Sequence, residues 1–277
     1  MSFSVNTNIS SLEAQIQLGN TQMSLQKTIA QLTSGLKINS SADDAAGLAV
    51  ANRDQLDDTG LNAGIQSAND AISQLQSEDG AMSNISTLLN RAMTLATQAA
   101  SDTFQGDRNT LNNEFSSVLS EITRTASAVG LETSGSALIS QNVWVGNTQA
   151  ATGSNVSYIS INLTSAGAVD ASGLSVDSAS ITTQANAASA ISSIQSAMIS
   201  LGKSQGAVGA AMNRLQFAVS QAQTLDVSVQ AQRSSIMDAN IAQAAANLSK
   251  YQILQQSGIA ALAQANTSPQ AVLQLLH

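Results

Sequence analysis

A chain of 277 residues with 43% apolar side chains can bury a core, yet only 10% of its residues are charged and 3% aromatic, against roughly a quarter charged in an ordinary soluble domain. A net charge of −8 with ten scattered basic residues excludes the clustered Lys and Arg that nucleic acid or an anionic membrane demands. With no cysteine and a single histidine, His277, one chain assembles neither a disulfide, a thiolate or imidazole metal site, nor a Ser-His-Asp triad.

The segment from Met1 to Asn8 lacks a basic n-region and an apolar h-region, so a cleavable secretory signal is not expected. Residues 1–42 hold three charges, Glu13, Lys27 and Lys37, and a helical apolar pattern on two tracks. Ile9, Leu12, Ile16 and Met23 form one; Leu18, Leu25, Ile29, Leu32 and Leu36 form the other. Ser40, Ser41, Asp43 and Asp44, followed by Gly47, read as a helix break and restart rather than as an acid–base pair.

From Ile65, the positions Ala68, Ile72, Leu75, Asp79, Met82, Ser86, Leu89, Met93, Ala96 and Ala100 recur at spacings of three and four, the seam of a coiled coil or narrow bundle. Leu111, Phe115, Val118, Ile122, Ala126 and Val129 predict a second helix. Between about 131 and 185 Gly, Ser and Thr rise, and Val143-Trp144-Val145 and the stretch 156–163 favour β structure, so a small β-hairpin insertion is expected. A third seam reads Ala187, Ile191, Ile194, Met198, Leu201, Gln205, Val208, Met212, Leu215, Val219 and Ala222.

Residues 239–277 carry one charged side chain, Lys250, besides His277, and the only proline, Pro269, lies there. Ile241, Ala245, Leu248, Tyr251, Ile259 and Leu262 share a pattern, with Ile253, Leu254 and Ala261 on other faces. A helix apolar on more than one face is buried on more than one face. The two ends should therefore need neighbours on several sides. The residues expected to carry self-assembly are Ile9, Leu12, Ile16, Leu25, Ile29, Leu32, Leu36, Ile241, Leu248, Tyr251, Leu254, Ile259, Leu262, Leu273 and Leu276.

The predicted fold is mainly α: a long antiparallel helical coiled coil or bundle with a small β-hairpin insertion, and a discontinuous domain built from the terminal helices. Its parts are an amino-terminal arm (1–42), a bundle (43–236) holding the hairpin region at about 131–185, and a carboxy-terminal arm (237–277) that pairs with the first. No catalytic, metal or cofactor site is expected, and the chain does not read as an enzyme. Asp54, Asp57, Asp58 and Gly60 fail as a calcium loop because Leu56 stands where an oxygen ligand is needed. Gly202-Lys203-Ser204 fails as a phosphate loop because Ala197 replaces the upstream glycine.

Two long motifs carry a family resemblance. The run from Leu32 to Val50 (LTSGLKINSSADDAAGLAV) resembles the amino-terminal signature of bacterial flagellins. Tyr251 to Gly258 (YQILQQSG), Leu262 to Asn266 (LAQAN) and Pro269 to Leu276 (PQAVLQLL) resemble the carboxy-terminal one, and Asn213-Arg214-Leu215 matches a third position. The likeness spans roughly 1–130 and 185–277.

It implies terminal helices paired as an inner coiled coil, a rod-like bundle around them, and an outward-facing middle, here too short for large outer domains. It also implies export through the flagellar type III apparatus and polymerisation into the extracellular filament that drives swimming. The partners implied are a secretion chaperone, the cap and the hook-junction proteins. Arg91, Leu95 and Glu114, with Gln98, match contact positions for Toll-like receptor 5, although Asn90, Met93 and Thr94 depart from the pattern. The same likeness makes the Ser and Thr side chains of 132–185 candidates for O-glycosylation.

Two rival readings fit the sequence less well. A hook–filament junction protein would lack so full a carboxy-terminal match, and a chemoreceptor hairpin would carry charge throughout its exposed faces.

Overall fold

A computed structural model describes residues 8–104, 106–133, 141–147, 156–161 and 167–275. Its elements follow in the order α1 (Ile9–Ser34), α2 (Ala45–Ala100), α3 (Arg108–Ala128), β1 (Gln141–Asn147), β2 (Val156–Ile161), α4 (Gln184–Met237) and α5 (Ile241–Leu275). The fold is mainly α with one small hairpin. The chain divides into two compact units: both chain ends form unit 1 (residues 1–56 and 228–277), and 57–227 form unit 2. The helices are interrupted at 35–44 and 238–240, and the first turns of α2 and the last turns of α4 group with the chain ends.

Unit 2 holds a continuous core. Leu75, Met82, Ile85, Leu89 and Leu95 of α2, Phe115 and Ile122 of α3, and Ile194, Leu201 and Leu215 of α4 are buried in one cluster with Val143, Val145, Ile161 and Ile181. The buried stripes sit slightly round each helix from the expected seam. On α4 the rows are Ala187, Ile194, Leu201, Val208 and Leu215, and Ala190, Ala197, Ser204 and Ala211; Ile191, Met198 and Met212 are only half-buried. On α2 the second row is Glu78, Ile85, Ala92 and Ala99 rather than Asp79, Ser86, Met93 and Ala100. The tightest positions are mostly taken by small residues, which let backbones approach, while larger side chains flank them.

The hairpin completes this core. β1 pairs antiparallel with β2 from Gln141↔Ile161 to Trp144↔Tyr158, with an irregularity before Asn147↔Val156. Alternation points Val143, Val145 and Ile161 inward and leaves Tyr158 exposed. The strand backbone presses against α2 at Gly64, where a Cβ would collide with Val145 and Gly146. That contact requires glycine. Leu163, expected on the second strand, lies outside the described residues.

Beyond the hairpin, Val169 donates its N–H to the Leu131 carbonyl (3.0 Å), and the buried Asp170 accepts from the Thr133 hydroxyl (3.0 Å) and the Gly173 N–H (2.9 Å). The turn between α2 and α3 is tied by Arg108, whose Nε donates to the Ala99 carbonyl (2.9 Å) and whose Nη2 donates to that of Ser101 (3.2 Å). These bonds satisfy carbonyls that the end of α2 would otherwise leave bare.

One ionisable group lies in the seam. Glu78 is buried; Oε1 accepts from Gln74 Nε2 (3.0 Å), while Oε2 is buried without a hydrogen bond. Burial pushes its carboxyl above the ordinary glutamate range, and the Gln74 bond only partly offsets this. An acid whose folded pKa is raised binds more protons folded than unfolded. Stability is therefore highest below the ordinary glutamate pKa and falls as pH rises from there through the folded value. Glu78→Gln should raise the stability of unit 2 at pH 8 by about 1–2 kcal/mol and leave a gain close to zero at pH 4. Urea unfolding of both proteins at the two pH values checks this. An equal effect at both pH values would show that charge burial is not the cause.

Candidate functional site

In unit 1, α1 lies antiparallel to α5, and the ties between them are polar. Asn8 caps α1 by accepting from the Ser11 N–H (3.1 Å), and its Nδ2 donates to the Ala265 carbonyl (2.8 Å). The Ser11 hydroxyl donates to Asn266 Oδ1 (2.7 Å). Further along, Gly258 faces Leu18, whose Cδ1 would sit 3.3 Å from an added Cβ.

The connections between helices are paired as well. Gly35 closes α1 in the left-handed conformation (φ +72°), which disfavours any side chain, and its N–H returns to the Gln31 carbonyl (2.9 Å). Leu36 and Asp238 form an isolated antiparallel bridge, with Lys37 N–H donating to Met237 O (2.6 Å) and Ala239 N–H donating to Gly35 O (2.9 Å). The α1–α2 and α4–α5 turns thus hold each other.

The serine–aspartate segment supplies the break and restart. Asp43 Oδ2 accepts from the backbone N–H groups of Asn39 (3.2 Å) and Ser40 (3.1 Å), while Asp44 Oδ1 caps α2 at the Gly47 N–H (2.9 Å). Lys27 Nζ stands 2.7 Å from Asp43 Oδ1. That ammonium, helped by the backbone donors, holds the Asp43 carboxyl below the usual aspartate range. Asn240 caps α5 by accepting from the Gln243 N–H (3.1 Å).

Among its described residues unit 1 has almost no apolar core. The buried residues of α1 are Ser11 and Thr28, both polar. Among the described residues of unit 1, Ile38 is the only fully buried large apolar side chain. Ile9 (61% exposed), Ile16 (59%) and Met23 (63%) form one row at intervals of seven along α1, with Leu12 and Ile29 also exposed. Ile241, Ile253, Leu254 and Ile259 of α5 are exposed too. Leu25, Leu32, Leu36, Leu248, Tyr251 and Leu262 are half-buried. Leu273 lies in α5 and Leu276 lies outside the described residues. Together the exposed side chains form bare apolar strips along both arms.

Unit 2 adds features that the sequence pattern did not isolate. Phe217 is the most exposed of its large apolar side chains, and Ile199 stands about five turns away on the same face of α4. The only signal was their absence from the seam. Arg91 and Glu114, on α2 and α3, pair across the surface: Arg91 Nε donates to Glu114 Oε1 (3.1 Å), and Nη2 contacts the same oxygen. Both remain about half exposed. Leu95, expected beside them as a contact, is instead 1% exposed. It points into the seam one turn beyond Arg91, so its side chain supports the surface from beneath and offers none of its own. Among the described residues no three His, Asp or Glu side chains gather where they could hold a metal ion, and no helix is long and apolar enough to cross a membrane.

Comparison with known proteins gives a consistent answer. The family model described as the bacterial flagellin N-terminal helical region matches residues 5–143, and that of the C-terminal helical region matches 191–276. The chain is similar to flagellin of Listeria monocytogenes (33% identical, 99% of each chain covered) and to flagellin of Halalkalibacterium halodurans (32%, 99% of each). It is also similar to the flagellar filament 33 kDa core protein of Treponema phagedenis (32%, 99% of each).

Proposed function

Because this chain belongs to the bacterial flagellin family, and is a structural subunit of the flagellar filament, we propose that it enters the filament by coupled folding, its terminal arms becoming stably helical only when other copies cover them. The observation that carries this is the row of Ile9, Ile16 and Met23, exposed on a helix whose own buried side chains are polar. Each large apolar side chain removed from water contributes roughly 1.5–3 kcal/mol, which the lone chain forgoes along both arms. A neighbour that covers α1 supplies it, and the ordering cost is met at that moment.

Assembly is therefore nucleated and concentration-dependent. The protein acts by shape and cohesion rather than by catalysis. The same lack of an internal core suits export as an unfolded chain through the flagellar type III route, with a chaperone holding the arms before export. The cap and hook-junction proteins meet the subunits outside the cell. Support for that route comes from the family and from the sparse burial of unit 1.

Arg91 and Glu114 form the centre of a proposed contact for Toll-like receptor 5, supported by their exposure and by the motif match; Leu95 positions α2 beneath them.

Three experiments test these readings. Ile16→Ser should raise the critical concentration for seeded polymerisation by about 10–100-fold, since 1.4 kcal/mol is a factor of ten, while the urea midpoint of unit 2 stays unchanged. Removal of about 30 residues from either end should abolish polymerisation; filaments growing normally from either truncation would overturn the arm reading. In a reporter-cell assay, monomer should stimulate Toll-like receptor 5 and Arg91→Ala should weaken the response about tenfold. Silence toward the unaltered monomer would remove the receptor contact.

A further inference from the structure

The sulfur on the exposed row of α1 gives that surface a chemical vulnerability. Met23 is the methionine left most open among those described: Met82 is buried in the unit 2 core at 1% exposure, and Met93, Met198, Met212 and Met237 are half-buried. Its place is specific. It continues the line of Ile9 and Ile16 at the same interval of seven, so whatever covers those isoleucines also covers its thioether.

We propose that Met23 is an oxidation site of the unassembled subunit, through which a two-electron peroxide oxidant blocks incorporation, and that the filament protects it. The inference rests on the reading of the arms given above. In the reaction, the Met23 sulfur is oxidised and the peroxide reduced. Its O–O bond breaks, one oxygen forms the S–O bond of the sulfoxide, and the other leaves as water when hydrogen peroxide is the oxidant. The product is a strongly polar, chiral group where the surface needs an apolar one. Burying an S–O dipole against a neighbour's aliphatic side chains leaves an acceptor without a donor, which opposes association.

Two hydroxyl groups nearby in sequence are already committed. Thr21 and Thr28 already donate to the carbonyls of Gln17 and Ser24 within their own helix (both 2.8 Å). Because a covered thioether reacts slowly, a subunit is vulnerable before incorporation and resistant after it.

The test uses the full chain, free and in filaments, treated with hydrogen peroxide. Cleavage after Glu13 separates Met1 from Met23, so that mass spectrometry assigns each added oxygen. Met23 should oxidise at least tenfold faster in the free chain than in the filament, and faster than Met82 in the free chain. Free chain oxidised at Met23 should show a critical concentration at least tenfold higher in seeded growth, and reduction by methionine sulfoxide reductases should restore it. Met23→Leu should assemble before and after peroxide alike, whereas Met23→Gln should assemble poorly without any oxidant.

Equal oxidation rates in filament and free chain would overturn the proposal. So would unimpaired growth of the oxidised chain, or loss of growth by peroxide-treated Met23→Leu. Failure of untreated, unaltered chain to grow from seeds would instead defeat the arm reading itself, and the proposal with it.

Discussion

The structure depends on a shortage: the side chains that would stabilise the terminal helices have too little of their own chain to pack against. Hydrophobic burial drives folding, and it does so in proportion to the apolar area removed from water. In α1 Ile9, Leu12, Ile16, Met23 and Ile29 are exposed, Leu18, Leu25 and Leu32 are half-buried, and the fully buried residues are the polar Ser11 and Thr28. Hydrogen bonds such as Asn8–Ala265 and Ser11–Asn266 fix the register of α1 against α5, but each contributes only about 1 kcal/mol net. They align the pair without securing it.

Unit 2 shows what the arms do without. Its helices place leucine, isoleucine and methionine against alanine and serine, and the hairpin backbone settles on a glycine, so its core is filled from within the chain. The one discordant member, Glu78, is a carboxylate placed where Ile85 and Ala92 stand one and two heptads later. Burying it costs stability that a filled seam can absorb. Unit 1, with Ile38 as its sole buried large apolar residue among those described, has no such reserve. Any variant that weakens the Gly35 turn or the Lys27–Asp43 pair should therefore act on assembly before it acts on the subunit's own folding.

Much of this was legible in the sequence, and the part that was not has a physical reason. Periods of three and four located every helix of the bundle, β-branched alternation found the hairpin, and scarcity of charge marked both ends. On α4 the buried row was misread because large residues were ranked as core ahead of small ones. Where helices come closest, Ala190, Ala197 and Ser204 fit and Met198 does not. Glu78 was missed because a lone carboxylate is not expected in an apolar seam, and Leu95 was read as a surface contact from its motif match although its turn of α2 faces inward. Phe217 escaped notice for the converse reason, since a residue off the seam leaves no periodic trace. The polar ties of Asn8 and Ser11 to α5 span more than 250 positions, and no local pattern announces a pairing so distant.

The scarcity of charge in the arms follows from the same constraint. A Lys or Glu on a face that will be covered must be desolvated without a guaranteed partner, at a cost of several kcal/mol per ion. Even an exposed pair adds little in return. Arms meant for enclosure should carry charge only where solvent or a local partner persists, and Lys27 meets that condition by reaching Asp43 at the start of the next segment. On the proposed reading, uncharged polar residues are what keep the arms hydrated until a subunit is incorporated. Serine and threonine can be covered at modest cost because they bond back to their own helix, as Thr21, Thr28, Thr33 and Ser249 do to Gln17, Ser24, Ile29 and Ala245. On the proposed reading of the arms, the composition that looked anomalous for a soluble domain suits a surface that stays wet for part of its existence and dry for the rest.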